Sequence, residues 1–146
     1  MTDAPKPWHD AFPSPQTTAP LMTREEALQS LSSYELLLVD VRRTDFEGGT
    51  IKGSLNLPAH SFYMNRAVLF DLCKRAGVKK VAFYCGSSNG RGPRCSGWFA
   101  DYIAESGDDQ IQSLTLEGGI KGWVKAGGLY TQQMDGFEPE YWRQFE

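Results

Sequence analysis

Short apolar runs alternate with amphipathic segments through the middle of the chain, and this alternation limits the possible folds most strongly. Residues 36–41 are apolar apart from Asp40, which is the pattern of a strand buried on both faces. Similar strands are predicted at 81–84 and 113–116, and helices at 67–76, 92–105 and 118–126. Strands that alternate with helices form mostly parallel sheets. The pattern therefore predicts an α/β fold with a mostly parallel central sheet and helices on both faces.

Both ends of this domain carry helical patterns. Thr23-Arg-Glu-Glu26 is a capping-box sequence, in which the hydroxyl and the carboxylate satisfy backbone N–H groups at the start of a helix. Four aromatic residues recur at helical spacing near the C-terminus: Phe137, Tyr141, Trp142 and Phe145. We interpret them as a helix that caps the core rather than binding a ligand. The domain is thus expected to span residues 21–146.

Residues 1–20 contain five of the eight prolines, together with serine, threonine and alanine. This composition disfavours both helix and sheet. It predicts a proline-rich N-terminal arm that precedes the domain and that Trp8 and Phe12 attach to its surface.

The size and charge of the chain exclude several classes of protein. A chain of 146 residues with 40% hydrophobic residues suits one compact domain. The net charge is −3 with acids and bases interspersed, so no basic surface for nucleic acid is visible. No segment resembles a membrane span or a secretory signal. We therefore expect a cytoplasmic or nuclear protein with no nucleic-acid or membrane partner.

The cysteines and histidines do not form a disulfide or metal-binding pattern. The chain has an odd number of cysteines, at 73, 85 and 95, and two histidines, His9 and His60. We therefore expect no disulfide and no metal site, and neither histidine is assigned a base role. Cys95 lies on the apolar stripe of the predicted helix 92–105, and Cys73 lies in an apolar helix, so both are predicted to pack in the core.

Cys85 directly follows the predicted strand 81–84 and begins a glycine- and serine-rich loop. Ligands of parallel sheets bind beyond the carboxyl ends of the strands, where Cys85 lies. Glycines let consecutive N–H groups converge on an anion, and the helix that follows adds its positive end. Arg91 can bind two oxygens with its planar guanidinium. The predicted oxyanion-binding residues are Gly86, Ser87, Ser88, Asn89, Gly90 and Arg91.

The same positive field is expected to stabilise the thiolate of Cys85, as at other cysteines next to helix N-termini and arginines. Attack of this thiolate on phosphorus or arsenic would build negative charge on oxygens that the loop and Arg91 can bind. We therefore predict that Cys85 and Arg91 are catalytic. The competing interpretation is an ordinary Gly/Ser connection with a buried cysteine.

The chain resembles the rhodanese-fold family in three segments that follow the family's order. They are Leu-Val-Asp-Val-Arg with Glu-Gly-Gly-Thr-Ile-Lys-Gly-Ser-Leu-Asn-Leu-Pro at 38–42 and 47–58, the loop at 85–91, and Leu-Glu-Gly-Gly-Ile-Lys-Gly-Trp at 116–123. Rhodanese sulfurtransferases typically have a six-residue loop, whereas 85–91 has seven residues. That length is similar to the loops of cell-division-cycle dual-specificity phosphatases and fungal arsenate reductases. The resemblance implies a single rhodanese-like catalytic domain, with Cys85 as nucleophile and Arg91 as oxyanion clamp.

Two positions differ from these relatives. Tyr84 stands where a histidine often precedes the cysteine, and Gly90 stands where the phosphatases tend to have a glutamate. Without a carboxylate at 85–92, the loop offers no general acid, a group worth roughly a hundred- to ten-thousandfold in rate. Arsenate needs less help, because its departing oxygen can arrive protonated, and so the loop favours arsenate. Outside the loop, the candidate acids are Asp40, Glu47, Glu117 and the substrate itself.

Two enzymatic functions follow from this chemistry. In an arsenate reductase, Cys85 attacks arsenate, and an external thiol resolves the adduct; the resemblance implies glutathione or a glutaredoxin-type thiol. In a dual-specificity or tyrosine-type phosphatase, the same Cys85 and Arg91 act on a phosphoprotein or a small phosphate ester. A thiosulfate sulfurtransferase and a non-catalytic binding module are less favoured. No bound cofactor is expected in any of these functions.

Two further basic residues lie near the predicted loop. Arg42 and Asp40 could reach a substrate, but we interpret them as a structural ion pair that holds neighbouring loops. Arg94 lies one helical turn beyond the loop and could steer anions, but we interpret it as an exposed helix residue.

Overall fold

The structure is a computed structural model that describes residues 6–146. Its strands are β1 Leu21–Met22, β2 Leu36–Asp40, β3 Thr50–Ile51, β4 Leu55–Asn56, β5 Lys80–Tyr84, β6 Gln112–Leu116 and β7 Met134–Asp135. Five of them form a parallel sheet in the order β1-β6-β5-β2-β4, and β3 pairs antiparallel with β7. The parallel central sheet confirms the predicted α/β fold, with β5 in the middle.

Within the described residues, seven α-helices surround the sheet. They are α1 Arg24–Ser30, α2 Ala59–Phe62, α3 Arg66–Ala76, α4 Arg91–Ser106, α5 Gly119–Lys125, α6 Gly128–Thr131 and α7 Pro139–Trp142. Short 3-10 helices cover Trp8–Ala11, Tyr63–Asn65 and Arg143–Phe145. The Thr23 hydroxyl accepts a hydrogen bond from the Glu26 N–H at 3.1 Å, which confirms the predicted N-cap of α1.

The central strands are buried on both faces because their successive side chains enter two separate cores. Val39 and Phe83 pack in one core with side chains of α2, α3 and α4. Leu38 and Ala82 point the other way, into a core with side chains of α1, α5 and α7. This alternation explains why the strand sequences are apolar throughout rather than at every second residue.

The shortest elements are those that the sequence pattern does not show. β1, β3, β4 and β7 have two residues each, too few for a periodicity to be visible. They exist because the rest of the fold brings them beside a partner: β1 pairs with β6, for example, through Leu21 opposite Thr115. The predicted helices and long strands agree with the structure to within about two residues at each end.

The described part of the N-terminal arm, residues 6–20, lies against α2 and α4. Trp8 stacks on His60 with ring centroids 4.4 Å apart, and Phe12 stacks on Tyr63 at 4.7 Å. The Trp98 indole donates a hydrogen bond to the Pro13 carbonyl at 2.7 Å. The prediction that Trp8 and Phe12 attach the arm is thus confirmed. The expectation that the arm has no helix is wrong at Trp8–Ala11, where these aromatic contacts hold a 3-10 turn.

Two predictions on domain organisation stay predictions, namely the boundary at residue 20 and the part of the arm at residues 1–5, which lies outside the described residues. Between residues 6 and 146, no helix has the length and apolar character needed to cross a membrane.

Candidate active site

Cys85 lies at the carboxyl end of β5, between the ends of β2 and β6. Its side chain is buried, with 3% of the residue exposed. The Gly92 N–H, in the first turn of α4, donates a hydrogen bond to the Cys85 sulfur at 3.3 Å. An N–H at the positive end of a helix stabilises negative charge on the atom that accepts from it. The predicted position of Cys85 between a strand end and a helix start is therefore confirmed.

Part of the loop from Cys85 to Arg91 lines a cavity of about 360 Å³. Gly86, Ser87, Gly90 and Arg91 contribute to the cavity wall with Cys85. Ser88 is buried with a left-handed φ of 60°, and its hydroxyl has no hydrogen-bond partner among the described residues. Asn89 faces a second cavity, which Arg94 also lines. The structure thus brings four of the six predicted oxyanion-binding residues to the Cys85 cavity, and their role in binding stays a prediction.

The start of α5 packs directly on the first residues of the loop. The Ile120 and Lys121 N–H groups donate to the carbonyls of Cys85 and Gly86 at 3.0 and 2.9 Å. Gly119 makes this contact possible, because its φ is +60° and a Cβ there would lie 2.6 Å from both carbonyl oxygens. The Gly-Gly of the segment 116–123 thereby fixes the backbone that carries the Cys85 sulfur.

Arg91 forms a two-point ion pair with Asp45, which lies in the connection between β2 and β3. Its Nη1 and Nη2 atoms donate to the two carboxylate oxygens at 2.7 and 2.5 Å. The guanidinium bonded to it holds the pKa of the Asp45 carboxyl well below its usual range. Within residues 6–146, Asp45 supplies the carboxylate on the wall of the Cys85 cavity. In this state it is ionised and cannot donate a proton.

Asp45 is not among the residues that the sequence predicts for the site. One feature of the sequence points to it: Asp45 lies five residues after the end of β2. Because β2 is adjacent to β5 and the ends of parallel strands meet at one edge of the sheet, a residue there can reach the Cys85 loop. The candidate acids that the sequence suggested lie elsewhere: Glu47 and Glu117 are exposed and do not line the Cys85 cavity.

Asp40 and Arg42 form the structural ion pair that the sequence predicts. Arg42 donates from Nη2 to Asp40 at 2.8 Å, and both side chains are almost completely buried. Arg42 also donates to the carbonyls of Glu47 and Gly49 at 2.9 and 2.7 Å, and the Thr50 hydroxyl donates to Asp40 at 2.8 Å. The pair therefore holds the connection that carries Asp45.

Tyr84 points to the face of the sheet opposite Cys85. Its hydroxyl is 2.8 Å from the Thr50 hydroxyl and 2.7 Å from that of Ser54, and it accepts from the Ile51 N–H at 3.2 Å. Burial raises the pKa of Tyr84, so the phenol stays neutral. Tyr84 thus joins β3 and the turn after it to the sheet, and its hydroxyl points away from the Cys85 sulfur.

Aromatic residues of the C-terminal segment form another wall of the Cys85 cavity. Tyr141, Trp142 and Phe145 all line it. Trp142 is also buried in the core, and its indole donates to the Gly48 carbonyl at 2.8 Å. The interpretation of this stripe as a core cap therefore holds for Trp142. It is incomplete for Tyr141 and Phe145, which also line the cavity beside the Cys85 loop.

The other two cysteines lie in the core, as predicted. Cys73 and Cys95 are 2% and 0% exposed. Burial raises the pKa of the Cys73 thiol to about 11 and also raises the pKa of Cys95. Both thiols are thus protonated at neutral pH. Across residues 6–146, no three His, Cys, Asp or Glu side chains are grouped so that they could hold a metal ion.

Comparisons with known proteins show which proteins this chain is similar to. Arsenate reductase 2.1 of rice is 32% identical over 100 residues, which are 66% of this chain and 61% of the rice protein. The matched region therefore covers less than two thirds of the rice protein. Arsenical-resistance protein 2 of Saccharomyces cerevisiae is 28% identical over 93 residues, 59% of this chain and 72% of the yeast protein.

Solved structures show the same fold. Ygr203w of Saccharomyces cerevisiae, described as a homolog of single-domain rhodanese and the Cdc25 phosphatase catalytic domain, superposes with a TM-score of 0.71 at 21% identity, over 86% of this chain and 92% of that one. The As–Sb reductase of Leishmania major gives 0.67 at 21% identity, over 84% and 89%. The Rhodanese-like domain family matches residues 23–126. The chain therefore belongs to the rhodanese-like domain family.

Proposed function

We propose that this protein is a thiol-dependent arsenate reductase in which Cys85 is the nucleophile and Arg91 binds the oxyanion. The observation that carries the proposal is the hydrogen bond from the Gly92 N–H to the Cys85 sulfur, on the wall of a cavity that Arg91 also lines. A sulfur so placed is activated for attack, and an oxyanion beside it meets the positive end of α4. The two curated relatives, named for arsenate reduction and arsenical resistance, support the same reaction.

The reaction is balanced by two molecules of thiol. The Cys85 thiolate attacks arsenic, a sulfur–arsenic bond forms, and one oxygen leaves as water. A small thiol then attacks the Cys85 sulfur, and the sulfur–arsenic bond breaks with its electron pair on arsenic, which is reduced from As(V) to As(III). A second thiol opens the mixed disulfide, regenerating Cys85 and releasing the oxidised thiol as a disulfide. Glutathione or a glutaredoxin-type protein supplies this thiol.

The carboxylates of the site favour arsenate over a phosphate ester. Expelling an ester oxygen is helped by a proton donor, a contribution of roughly a hundred- to ten-thousandfold in rate. Asp45 is held ionised by Arg91, and Asp40 accepts hydrogen bonds from Arg42 and Thr50. Arsenate can lose an oxygen that already carries a proton, so its reaction depends less on either group.

The experiment is arsenate reduction with glutathione as the reductant, measured as arsenite formed over time. We expect Cys85→Ser to lose the activity, because serine cannot form the sulfur–arsenic bond. Cys73→Ala is the matched control, because it removes a thiol that is buried away from the cavity, and it should retain the activity. If Cys85→Ser reduces arsenate as fast as the parent chain, the proposal is wrong.

A phosphatase is the second candidate, and the aromatic wall favours it. Tyr141 and Phe145 lie on the cavity wall beside the Cys85 loop, where they could contact the ring of an aryl phosphate or a phosphotyrosine. A burst of released phenol from an aryl phosphate, together with trapped phosphocysteine at Cys85, would establish this activity. Cys85→Ser should abolish both signals.

The cellular setting follows from the same chemistry. A reaction that consumes reduced thiols requires a reducing compartment, which supports a cytoplasmic or nuclear location. Fractionation of cells that express the tagged protein tests this location. Recovery of the protein in an oxidising compartment would contradict it.

A further inference from the structure

Three basic side chains line the Cys85 cavity, and they differ in their partners. Arg42 is bonded to Asp40, and Arg91 is bonded to Asp45. Lys121 has no carboxylate within 4.0 Å in the described part of the chain. Its ammonium lies over the ring of Phe145, 4.6 Å from the ring centroid. Among the three, Lys121 is therefore the basic residue that forms no ion pair with an acid in the described part of the chain.

The backbone holds Lys121 beside the reactive loop. Its N–H donates to the Gly86 carbonyl at 2.9 Å, and its Cε lies 3.7 Å from where a Cβ of Gly86 would stand. The Lys121 side chain thus starts from a backbone position that is bonded to Gly86, the residue after Cys85. Its position is set by the contact of α5 with the loop rather than by a flexible surface segment.

The space around Lys121 is larger than arsenate requires. The Cys85 cavity has a volume of about 360 Å³ and adjoins a cavity of about 320 Å³, and Lys121, Trp142 and Phe145 line both. Cavities of this size hold organic molecules, whereas arsenate has five heavy atoms. Lys125 and Glu146 also line the second cavity, and their charges are opposite. Lys121 is thus the cation at the junction of the two spaces.

We propose that Lys121, Trp142 and Phe145 form a subsite for a carboxylate-bearing thiol, the second reactant that resolves the Cys85 adduct. This inference rests on the proposed function. The lysine ammonium binds the carboxylate, and the two aromatic rings contact the carbon chain between carboxylate and sulfur. The sulfur of the thiol then lies next to Cys85, where it attacks the Cys85 sulfur and leaves the electron pair of the sulfur–arsenic bond on arsenic.

The first test uses the free protein and needs no arsenate. Cys85 is reacted with dithiodipropionate and, separately, with its uncharged diamide, and the ratio of the two rate constants is measured. In each case the thiolate forms a mixed disulfide and releases one molecule of the reagent's thiol. We expect Lys121→Met to lower the ratio about three- to tenfold, the effect of one charge at short range in a partly solvated site. Lys121→Arg should preserve the ratio.

The matched control is Lys80→Met, which removes the same charge. Lys80 is exposed at the end of β5 opposite Cys85, and five residues of strand place it roughly 17 Å from Cys85. That distance exceeds the screening length of about 8 Å at physiological salt, so the ratio should not change. If Lys121→Met leaves the ratio unchanged, or if Lys80→Met lowers it equally, the subsite is refuted.

The second test uses arsenate reduction with mercaptopropionate and with its amide as reductants. Lys121→Met should raise KM for the carboxylated thiol and leave KM for the amide and for arsenate unchanged. An increase in KM for arsenate alone would assign Lys121 to the oxyanion site and overturn the inference. The parent chain could reduce no arsenate while Lys121→Met still lowers the ratio of rate constants in the first test. That outcome would support the carboxylate subsite and refute the reductase.

Discussion

Two arginine–aspartate pairs lie at the same edge of the sheet and differ in almost every physical respect. Arg42 and Asp40 have side-chain exposures of 2% and 0%, whereas Arg91 and Asp45 have exposures of 27% and 42%. Arg42 uses Nε and Nη2 on the carboxylate and its remaining donors on backbone carbonyls. Arg91 uses only Nη1 and Nη2, both on Asp45.

The difference separates a structural pair from an exchangeable one. Removing one partner of a buried pair leaves an unpaired charge away from water, whereas a half-exposed pair can exchange its partner for water or for a ligand. The Asp45 carboxylate therefore occupies the donors of Arg91 that an oxyanion would use. Arg42 also donates to the carbonyl of Glu47, two residues after Asp45. The buried pair therefore helps to set the position of the Arg91–Asp45 pair.

Breaking the buried pair should have the largest effect. We expect Asp40→Asn to destabilise the protein by about 3–5 kcal/mol, because it leaves the Arg42 guanidinium buried without a counter-charge. Urea unfolding measures this. Asp45→Asn is the matched control and should cost less than about 1 kcal/mol, because that pair is partly exposed to solvent. Equal losses in the two variants would show that the two pairs do not differ as described.

Replacing Arg91 by lysine should weaken anion binding more than it lowers the stability of the fold. Arg91→Lys keeps the charge but loses the planar pair of donors, and we expect the affinity for sulfate to fall about 10- to 100-fold. Protection of Cys85 from alkylation by sulfate measures the affinity. Arg94→Lys, beyond the loop, is the control and should bind sulfate as the parent does. Unchanged binding by Arg91→Lys would remove Arg91 from the oxyanion site.

Releasing Arg91 from Asp45 should strengthen anion binding. Because exchange of an exposed ion pair costs up to about 1 kcal/mol, we expect Asp45→Asn to raise the affinity for sulfate by up to about fivefold. The same protection assay applies, with Glu47→Gln as the control for the loss of one negative charge from the same connection. Weaker binding by Asp45→Asn would mean that Asp45 orients Arg91 for the anion instead of competing with it.

The exposed pair should also give a small pH dependence of stability. The pKa of Asp45 is lowered in the folded state, so its contribution is present above the unfolded value of about 4 and is lost as pH falls further. We expect the parent to be more stable than Asp45→Asn at pH 6, by less than about 1 kcal/mol after solvent screening, and this advantage to shrink at pH 3. Urea unfolding at the two pH values checks this. An advantage that grows on acidification would contradict the assignment.

The predictable part of the site is local in the sequence. Cys85 and Arg91 are separated by one short loop, and the apolar strand before it and the helix after it fix their relative position. Asp40 and Arg42 are likewise two residues apart and pair directly. Asp45 and Lys121 could not be found in this way, because they reach the cavity from separate elements, 40 and 36 residues from Cys85 in the sequence.

The sequence by itself determined the α/β architecture and the placement of Cys85 and Arg91 at the two ends of one strand-to-helix loop, because strand and helix periodicities and a seven-residue loop are readable without distant contacts. Only the tertiary structure decided what surrounds the thiol. The pairing of β2 with β5 brings Asp45 to Arg91, and the packing of α5 and the C-terminal aromatic residues brings Lys121, Tyr141 and Phe145 to the cavity. Those contacts depend on which strands are neighbours and how helices pack on them, and no local pattern in the chain encodes that order.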